Sequence, residues 1–328
     1  MKLDSRSPII FLMGPTTSGK TDLAMELCKH LPADIVSVDS TLVYRDMDIG
    51  SAKPTKEELR QYPHRLVDIC DPAEPYSVAD FCHDAEVEVK SIVGNGRVPI
   101  LVGGSMMYFK TLLEGLADMP QSDPAIREAI TNEAREQGWP ALHRQLQEID
   151  PDCASQLHPN HSQRISRALE VYRISGKTMT QSRKDQQALD KSDARLFANR
   201  HQILQMALLP TDRSMLHKRI EKRFSLMLEQ GLVGEVEALH KREDLHLDLP
   251  SMRAVGYRQV WQYLDGDYNY VTMVNKGVAA TRQLAKRQLT WLRGWQDLKV
   301  IPVEESMNYS TLQKNVEFIL NYLPTKPL

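Results

Sequence analysis

The sequence predicts an α/β fold with a parallel sheet, and three stretches carry this prediction. An apolar run at residues 9–12 leads through a glycine-containing turn into a helical pattern, and residues 97–116 repeat the same order of apolar run, glycines and helix. Between them, residues 33–40 form a third apolar run that ends in Asp39 and Ser40. Apolar runs that alternate with helices are typical of strands buried between helical layers in a parallel sheet.

The turn after the first apolar run carries the pattern GxxxxGK[ST]. Its glycines permit backbone conformations that other residues avoid, so that consecutive N–H groups can surround a diphosphate. The lysine adds a positive charge, and the threonine provides a hydroxyl that can bind Mg²⁺. The following helix points the positive end of its dipole toward the same anion. The motif therefore predicts a P-loop NTPase-like core that binds a polyphosphate with Mg²⁺, without identifying that ligand as ATP. The predicted diphosphate-binding residues are Gly14, Pro15, Thr16, Thr17, Ser18, Gly19, Lys20 and Thr21, with Thr21 as the metal ligand.

The alternation of strand and helix stops near Met119, which predicts a helical insertion. Residues 123–184 contain three helical patterns and no strand-like apolar run, and the polar residues 185–200 resemble a return linker. Strand and helix patterns then resume. The predicted domains are a phosphate-loop core formed by residues 1–119 and 196–328, and a helical insertion domain formed by residues 120–195.

Two later helices carry candidate functional residues. Arg219 and Arg223 are four residues apart, so they share a helix face, and this spacing suits the binding of a phosphate. A solvent-facing basic stripe is the alternative. In the long helical pattern at 270–296, Trp291 and Trp295 are also four apart, and we expect this pair to pack in the core rather than to stack on bases.

The net charge of −2 hides an uneven distribution of charge. Residues 1–119 carry 12 Lys and Arg against 18 Asp and Glu, whereas residues 196–328 carry 18 against 14. Basic side chains are concentrated at 160–184 and 268–296. Such clusters on a nearly neutral protein indicate a surface for a polyanion, although a solvated helix face explains either cluster alone equally well.

Asp39 ends the second predicted strand. Because the carboxyl ends of parallel strands line the ligand crevice, we expect Asp39 beside the phosphate loop. A carboxylate there can bind Mg²⁺, act as a general base or cap the next turn, and the sequence leaves these roles open. The strand predicted near residue 100 ends in Gly-Gly-Ser instead of an acid, which argues against a hydrolysing ATPase.

Composition excludes several classes of protein. Of the 328 residues, 41% are hydrophobic and 26% charged, and no apolar run reaches the roughly 20 residues that a membrane span needs. The N-terminus does not have the pattern of a signal peptide. The four cysteines are far apart, which predicts reduced thiols rather than a metal site or disulfides. We expect a cytoplasmic monomer.

Eight stretches spread over nearly the whole chain resemble the bacterial tRNA dimethylallyltransferases, also called tRNA isopentenyltransferases. Ser51 and Ser105 stand where threonine is expected in this family, and both keep the hydroxyl. The resembling stretches are GPTTSGKT, SVDSTLVYRDMDIGSAKP, PHRLVDICDP, ILVGGSMMYFKTLLEG, HPNHSQRISRALEVYRISGKT, LHKRIEKRFSLMLEQGLVGEV, LPSMRAVGYRQV and ATRQLAKRQLTWLRGW.

The resemblance implies transfer of a dimethylallyl group from dimethylallyl diphosphate to N6 of the adenosine 3′-adjacent to the anticodon in tRNA, with diphosphate released and Mg²⁺ as cofactor. That adenosine would be flipped out of its loop. Asp39 would be the general base, and Lys20, Thr21 and Arg223, with Arg219 as second choice, would hold the diphosphate. Expected contacts with the anticodon stem-loop are Ser40, Thr41, Leu42, Ser105, Arg127, Gln163, Arg164, Arg167, Asp248, Arg253, Arg282, Lys286 and Arg287.

Other classes fit parts of the sequence. A small-molecule or nucleoside kinase would share the phosphate loop and Asp39, but would need neither the helical insertion nor the two basic clusters. An RNA-binding regulator without transfer chemistry would not need a carboxylate beside the loop. An adenylate isopentenyltransferase would share the chemistry but not the large basic surface.

Overall fold

Six strands form a single sheet at the centre of the fold. They are β1 (Pro8–Met13), β2 (Ala33–Val38), β3 (His64–Arg65), β4 (Val98–Gly103), β5 (Gln202–Pro210) and β6 (Lys299–Val303). Their order is β3-β2-β4-β1-β5-β6, and every neighbouring pair is parallel. The predicted α/β fold with a parallel sheet is confirmed.

The chain divides into two units in this computed structural model, which describes residues 8–117, 119–188, 196–304 and 309–323. One unit, here called the core unit, comprises Met1–Leu113 and Phe197–Leu328. The other, the inserted unit, comprises Glu114–Leu196. These divisions lie a few residues from the sequence-based boundaries at 119/120 and 195/196.

Fifteen helices are present in the described ranges. None of them is long and apolar enough to cross a membrane. They are α1 (Lys20–Leu27), α2 (Lys56–Gln61), α3 (Val78–Gly94), α4 (Met106–Glu114), α5 (Pro124–Gln137), α6 (Trp139–Ile149), α7 (Pro151–Ser155), α8 (Ser162–Ser175), α9 (Met179–Ala188), α10 (Phe197–Arg200), α11 (Arg213–Glu229), α12 (Leu232–His240), α13 (Tyr257–Leu264), α14 (Tyr270–Arg293) and α15 (Tyr309–Leu320).

Strand β1 is buried on both faces, which explains its continuous apolar sequence. Phe11 packs on the face covered by α3 and α4, with its ring centroid 5.0 Å from that of Phe109. Ile10 and Leu12 point to the other face, where α1 and α15 pack. Burial on both sides removes the alternation of polar and apolar residues seen in half-exposed strands.

The sequence rules for helix ends hold at α3. Ser77 is its N-cap: the Ser77 hydroxyl accepts a hydrogen bond from the Asp80 N–H, and the Asp80 carboxylate accepts one from the Ser77 N–H. Reciprocal bonds of this kind satisfy two backbone donors that the helix leaves unpaired.

The described residues of the inserted unit form five helices, α5 to α9, rather than the three that the sequence patterns indicated. They enclose a small apolar core of their own, which includes Ile130, Leu142, Leu146, Ile165 and Leu169. The interpretation of residues 185–200 as a linker is wrong at both ends, because α9 continues to Ala188 and α10 begins at Phe197. The Phe197 ring is buried and stacks 6.4 Å from Phe11, a long-range contact that local polarity does not predict. Residues 189–195 lie outside the described residues.

Helices α11 to α14 form a further layer of the core unit. Helix α14 approaches α11 closely at Gly277, where a Cβ atom would lie 2.2 Å from Cζ of Phe224. Phe224 is buried and neighbours Arg223 on α11. The absence of a side chain at Gly277 therefore fixes the spacing of two helices that carry candidate site residues.

We predict that Gly277→Ala destabilises the core unit by about 1–3 kcal/mol, because the added methyl group must displace the Phe224 ring or separate the helices. The measurement is the midpoint of urea-induced unfolding. Gly234→Ala on α12 is the matched control, since nothing lies within 4 Å of its added Cβ and alanine favours a helix. An unfolding midpoint for Gly277→Ala equal to or above that of Gly234→Ala would contradict this account of the packing.

Candidate active site

The phosphate loop connects β1 to α1 in a conformation suited to an anion. Thr17 and Gly19 both have left-handed backbone angles, with φ of 63° and 83°. Gly14 lies so close to the next turn that a Cβ there would be 2.7 Å from the Ser18 hydroxyl oxygen. Gly19 caps α1 without a side-chain hydrogen bond. The first N–H groups of α1 therefore stay available for an anion at its positive end.

Lys20 is the first residue of α1, directly after this loop. Its Nζ donates to the Pro15 carbonyl oxygen at 3.2 Å, and burial lowers the Lys20 pKa from 10.5 to about 8, although the Asp39 carboxylate opposes this effect. The hydroxyl oxygens of Thr17 and Ser18 are buried and have no hydrogen-bond partner among the described residues. Buried polar groups of this kind are usually satisfied, so the loop has both a charge and donors available for a polyanion.

Asp39 follows the last residue of β2 and points toward the loop, as the sequence predicted. Its Oδ1 accepts hydrogen bonds from the N–H groups of Thr41 at 2.9 Å and Leu42 at 3.4 Å. Capping of the next turn, one of the roles left open above, therefore occurs. Oδ2 has no hydrogen-bond partner within the ranges that the structure describes, so it can accept a proton or bind a cation.

A cavity of about 450 Å³ joins these elements in the core unit. Its walls include the phosphate loop, the ends of β2 and β4, and one side each of α11 and α14. Burial lowers the pKa of the Arg223 guanidinium, while the carboxylates of Asp39 and Asp22 oppose this effect. The predicted site residues that line this cavity are Thr16, Thr17, Lys20, Thr21, Asp39, Ser40, Thr41, Leu42, Ser105, Arg223 and Arg287.

A second cavity, of about 570 Å³, lies on another side of the same loop. It shares Lys20, Thr21 and Arg223 with the first cavity. Arg219 lines only the second cavity, and its guanidinium donates to the carbonyl oxygen of Glu304 at 2.9 Å. Arg223 thus lines both cavities, whereas Arg219 lines one.

Gln288, which no sequence motif marked, joins two parts of the site. Its Oε1 accepts from the N–H of Thr16 at 2.9 Å, and its Nε2 donates to the carbonyl oxygen of Gly104 at 3.0 Å. A Cβ on Gly104 would lie only 2.3 Å from this Nε2. The available signal was a glutamine on the buried face of α14, between Ala285 and Leu292.

The prediction that Trp291 and Trp295 both pack in the core is wrong for Trp291. Trp295 is partly buried, and its indole N–H donates to Oε1 of Gln205 at 2.7 Å. Trp291 is 42% exposed and lines the first cavity, and the Lys110 ammonium lies 5.7 Å from its ring centroid. Helical spacing predicts that the two rings lie on one side of a continuous helix. However, α14 ends at Arg293, before Trp295, and it is Trp295 that contacts β5.

The proposed RNA contacts of the core unit fall into two sets. At the first cavity, the N–H of Ser40 donates to the hydroxyl oxygen of Ser105 at 3.1 Å. Away from it, Arg253 pairs with Asp248 at 3.0 Å, and Arg282 forms an ion pair with Glu221. Lys286 and Arg287 are exposed on α14. Apart from Arg287, therefore, the basic residues among these candidates do not line the cavity.

In the inserted unit, the buried carboxylate of Glu170 organises two predicted contacts. It accepts hydrogen bonds from Arg127 at 3.2 Å and Arg167 at 3.0 Å, and also from Ser122 and the Asp123 N–H. Arg173 pairs with Glu133 of α5 at 2.7 Å. The basic cluster counted along the sequence is thus partly neutralised, by Glu170 of the same helix and by Glu133 of α5, while Gln163 and Arg164 are exposed.

Known proteins resemble this chain over most of its length. Residues 42–295 match the model of the family described as IPP transferase. The full-length tRNA isopentenylpyrophosphate transferase of Bacillus halodurans is 32% identical, with a TM-score of 0.68 and 96% of each chain covered. The tRNA delta(2)-isopentenylpyrophosphate transferase of Staphylococcus epidermidis is also 32% identical, with a TM-score of 0.66 and 96% of this chain and 98% of that chain covered.

A eukaryotic dimethylallyltransferase acting on tRNA has the same fold, with a TM-score of 0.76 at 22% identity over 98% of this chain and 81% of that chain. The family match begins after the phosphate loop, but the two bacterial structures cover nearly the whole chain. These matches favour an enzyme that transfers a prenyl group over the kinase and the RNA-binding regulator. The chain belongs to the IPP transferase family.

Proposed function

We propose that this enzyme transfers a dimethylallyl group from dimethylallyl diphosphate to N6 of the adenosine 3′-adjacent to the anticodon in tRNA, releasing diphosphate. The observation that carries the proposal is that Lys20, Asp39 and Arg223 line one cavity. This reaction needs cations that stabilise the leaving diphosphate, and Lys20 and Arg223 supply two. It also needs a base that takes the proton of the amine, and Asp39 supplies a carboxylate. The tRNA-acting enzymes of similar structure support the choice of acceptor.

The leaving group is the first requirement. As the bond between the allylic carbon and the diphosphate oxygen breaks, negative charge grows on the diphosphate. The Lys20 ammonium, the loop N–H groups and the Arg223 guanidinium would stabilise this charge, and their prior desolvation strengthens the interaction. No protein nucleophile is required, because the amine attacks the allylic carbon directly.

The residues present fit Mg²⁺. Thr21 lines both cavities beside the loop, and its hydroxyl is a hard oxygen donor of the kind that Mg²⁺ binds. No group of three or more His, Cys, Asp or Glu residues suited to a metal occurs in the described part of the chain. Mg²⁺ usually takes few protein ligands and completes its shell with phosphate oxygens and water. We propose Thr21 as the protein ligand, where the ion would neutralise part of the diphosphate charge.

The acceptor amine needs a base. An exocyclic amine conjugated to a purine is a weak nucleophile, and its proton must leave as the new C–N bond forms. We assign this proton to Oδ2 of Asp39, because Oδ1 is already bound to the N–H groups of Thr41 and Leu42. Those two bonds would hold the carboxylate in one orientation during the transfer.

The RNA would be bound by both units. The adenosine must leave the stack of the anticodon loop to reach the cavity, and single-stranded loops allow this at low cost. In the core unit, the exposed side chains of Lys286, Arg287 and Trp291 suit phosphate contacts and base stacking. In the inserted unit, Arg127 and Arg164 are exposed, and we propose that they also contact the RNA.

The direct test combines the protein with dimethylallyl diphosphate, Mg²⁺ and unmodified tRNA, followed by mass analysis of the nucleosides. We expect a five-carbon addition on adenosine at the position 3′-adjacent to the anticodon. Unmodified RNA after this incubation, or phosphoryl transfer from labelled ATP to a small acceptor, would refute the proposal.

We predict that Asp39→Asn lowers the rate of transfer by about 10²–10⁴-fold, because the amide cannot take the proton. Asparagine keeps an oxygen that can cap the turn at Thr41, so the fold and the affinity for tRNA should change little. Single-turnover rates and tRNA binding give the two readouts. A loss of tRNA affinity as large as the loss of rate would contradict the assignment of Asp39 as base.

The lowered pKa of Lys20 predicts a pH dependence of substrate binding. Bound diphosphate raises this pKa above its value of about 8 in the free enzyme. Below about pH 8, Lys20 of the free enzyme already carries its proton. Above about pH 8, Lys20 must take up a proton each time the diphosphate binds. The affinity for dimethylallyl diphosphate should therefore fall as the pH rises through about 8, approaching tenfold per pH unit.

The control for this prediction is Lys20→Arg, in which the guanidinium keeps its charge throughout. Equilibrium titrations at a series of pH values should show a flat profile for the variant and a falling one for the wild type. Parallel profiles for the two proteins would show that Lys20 is not the titrating group.

A further inference from the structure

A strained segment forms a wall shared by the two cavities. Residues 46–53, here called the wall segment, contain two non-glycine residues with left-handed backbone angles, Asp46 with φ of 63° and Ala52 with φ of 52°. Such conformations are unfavourable for residues with a side chain, and they persist where the surroundings hold them. Ala52 lines both cavities, and Gly50 and Ser51 line the first.

A single carboxylate holds the middle of the wall segment. Oε2 of Glu235, on α12, accepts hydrogen bonds from the N–H groups of Asp48 at 2.9 Å and Ile49 at 2.7 Å. Oε1 accepts from the N–H of Gly50 at 3.1 Å and from the hydroxyl of Tyr257 at 2.6 Å. Three successive N–H groups that converge on one anion form a backbone nest, occupied here by a side chain of the same chain.

Tyr257 supports this arrangement in two ways. Its hydroxyl stays protonated and able to donate, because burial and the neighbouring Glu235 carboxylate raise the Tyr257 pKa. Its ring lies against the wall segment, since a Cβ on Gly50 would be only 2.6 Å from Cε2 of the ring. A larger residue than glycine at position 50 would therefore push the segment away from Tyr257.

The far end of the wall segment is fixed separately. The Lys53 ammonium donates to the carbonyl oxygen of Tyr44 at 2.9 Å and to Oδ1 of Asp48 at 2.6 Å, and it forms an ion pair with Asp68. The Lys53 side chain is only 3% exposed. Within the segment, the N–H of Ala52 donates to the carbonyl oxygen of Ile49 at 3.0 Å and the N–H of Lys53 to the carbonyl oxygen of Asp48 at 2.9 Å. The N–H groups of Asp48, Ile49 and Gly50 have the Glu235 carboxylate as their acceptor.

Neither Glu235 nor Tyr257 lines the cavities, so both act through the backbone of the wall segment. We propose that Glu235, supported by Tyr257, is a positioning residue for prenyl transfer, and that it keeps the wall segment closed against the phosphate loop so that water is excluded from the allylic diphosphate. The inference rests on the proposed function. The side reaction that it prevents is hydrolysis: a water oxygen bonds to the allylic carbon, the bond from that carbon to the diphosphate oxygen breaks with its electron pair leaving on diphosphate, and the water proton passes to solvent.

The test uses Glu235→Gln, which keeps the size of the side chain but replaces one accepting oxygen with a donating amide. We expect the ratio of dimethylallyl alcohol to modified adenosine to rise by at least about tenfold, with a higher KM for dimethylallyl diphosphate and a smaller change in kcat. Labelled dimethylallyl diphosphate gives both products in one reaction. Glu237→Gln, also on α12 but paired at the surface with Lys241 at 3.0 Å, is the matched control.

A second measurement keeps this inference separate from the proposed function. Amide hydrogen exchange at Asp48, Ile49 and Gly50 should be faster in Glu235→Gln than in the wild type and in Glu237→Gln, whether or not tRNA is the acceptor. If wild-type protein modifies no RNA but exchange still rises in the variant, the proposed function fails and the positioning by Glu235 stands. Unchanged exchange would overturn the positioning role.

Tyr257→Phe provides a second variant in case Glu235→Gln does not fold. This substitution removes one hydrogen bond to Glu235 and keeps the ring against Gly50. We therefore expect smaller increases in amide hydrogen exchange and in the ratio of alcohol to modified adenosine than in Glu235→Gln. A variant with a lower melting temperature but the wild-type ratio of alcohol to modified adenosine would show that these residues serve stability alone, and would refute the proposal.

Discussion

The desolvated ammonium of Lys20 is the constraint on which the rest of this molecule depends. Lys20 is the first residue of α1, and burial lowers its pKa to about 8. The groups around it are also incomplete, since α1 has no side-chain cap and the hydroxyls of Thr17 and Ser18 lack partners among the described residues. In the proposed function, the bound diphosphate would interact with this ammonium and with the N–H groups at the start of α1.

The supports of this loop come from distant parts of the chain. Gln288, which is 272 positions from Thr16 in the sequence, accepts the hydrogen bond of the Thr16 N–H. Glu235 of α12 holds the wall segment. Both use side-chain oxygens to hold the backbone in place, and Glu235 holds a segment with left-handed backbone angles at both ends. Such precise placement matters for a reaction in which an activated allylic group must meet an amine and avoid water.

Local features could be predicted from the sequence. The phosphate loop, the position of Asp39 after its strand, the Ser77 cap and the parallel sheet all follow from patterns within a few residues. Phe197, Trp291 and Glu170 could not be placed in this way, because their burial or pairing depends on elements far away in sequence. Gln288 and Glu235 could not be placed either. The sequence shows that they are polar residues in helical patterns, but only the fold shows which backbone groups they contact.

The order of the strands also affects how this protein is made. Strand β1 is made before the other five described strands, yet it pairs along its whole length with β5, beginning with Pro8 opposite Gln202. At typical rates of translation, roughly 10–40 s pass between the synthesis of these partners. The contact between Thr16 and Gln288 forms later still. A chain that has not yet reached Gln288 therefore has the complete phosphate-loop sequence without the site around it.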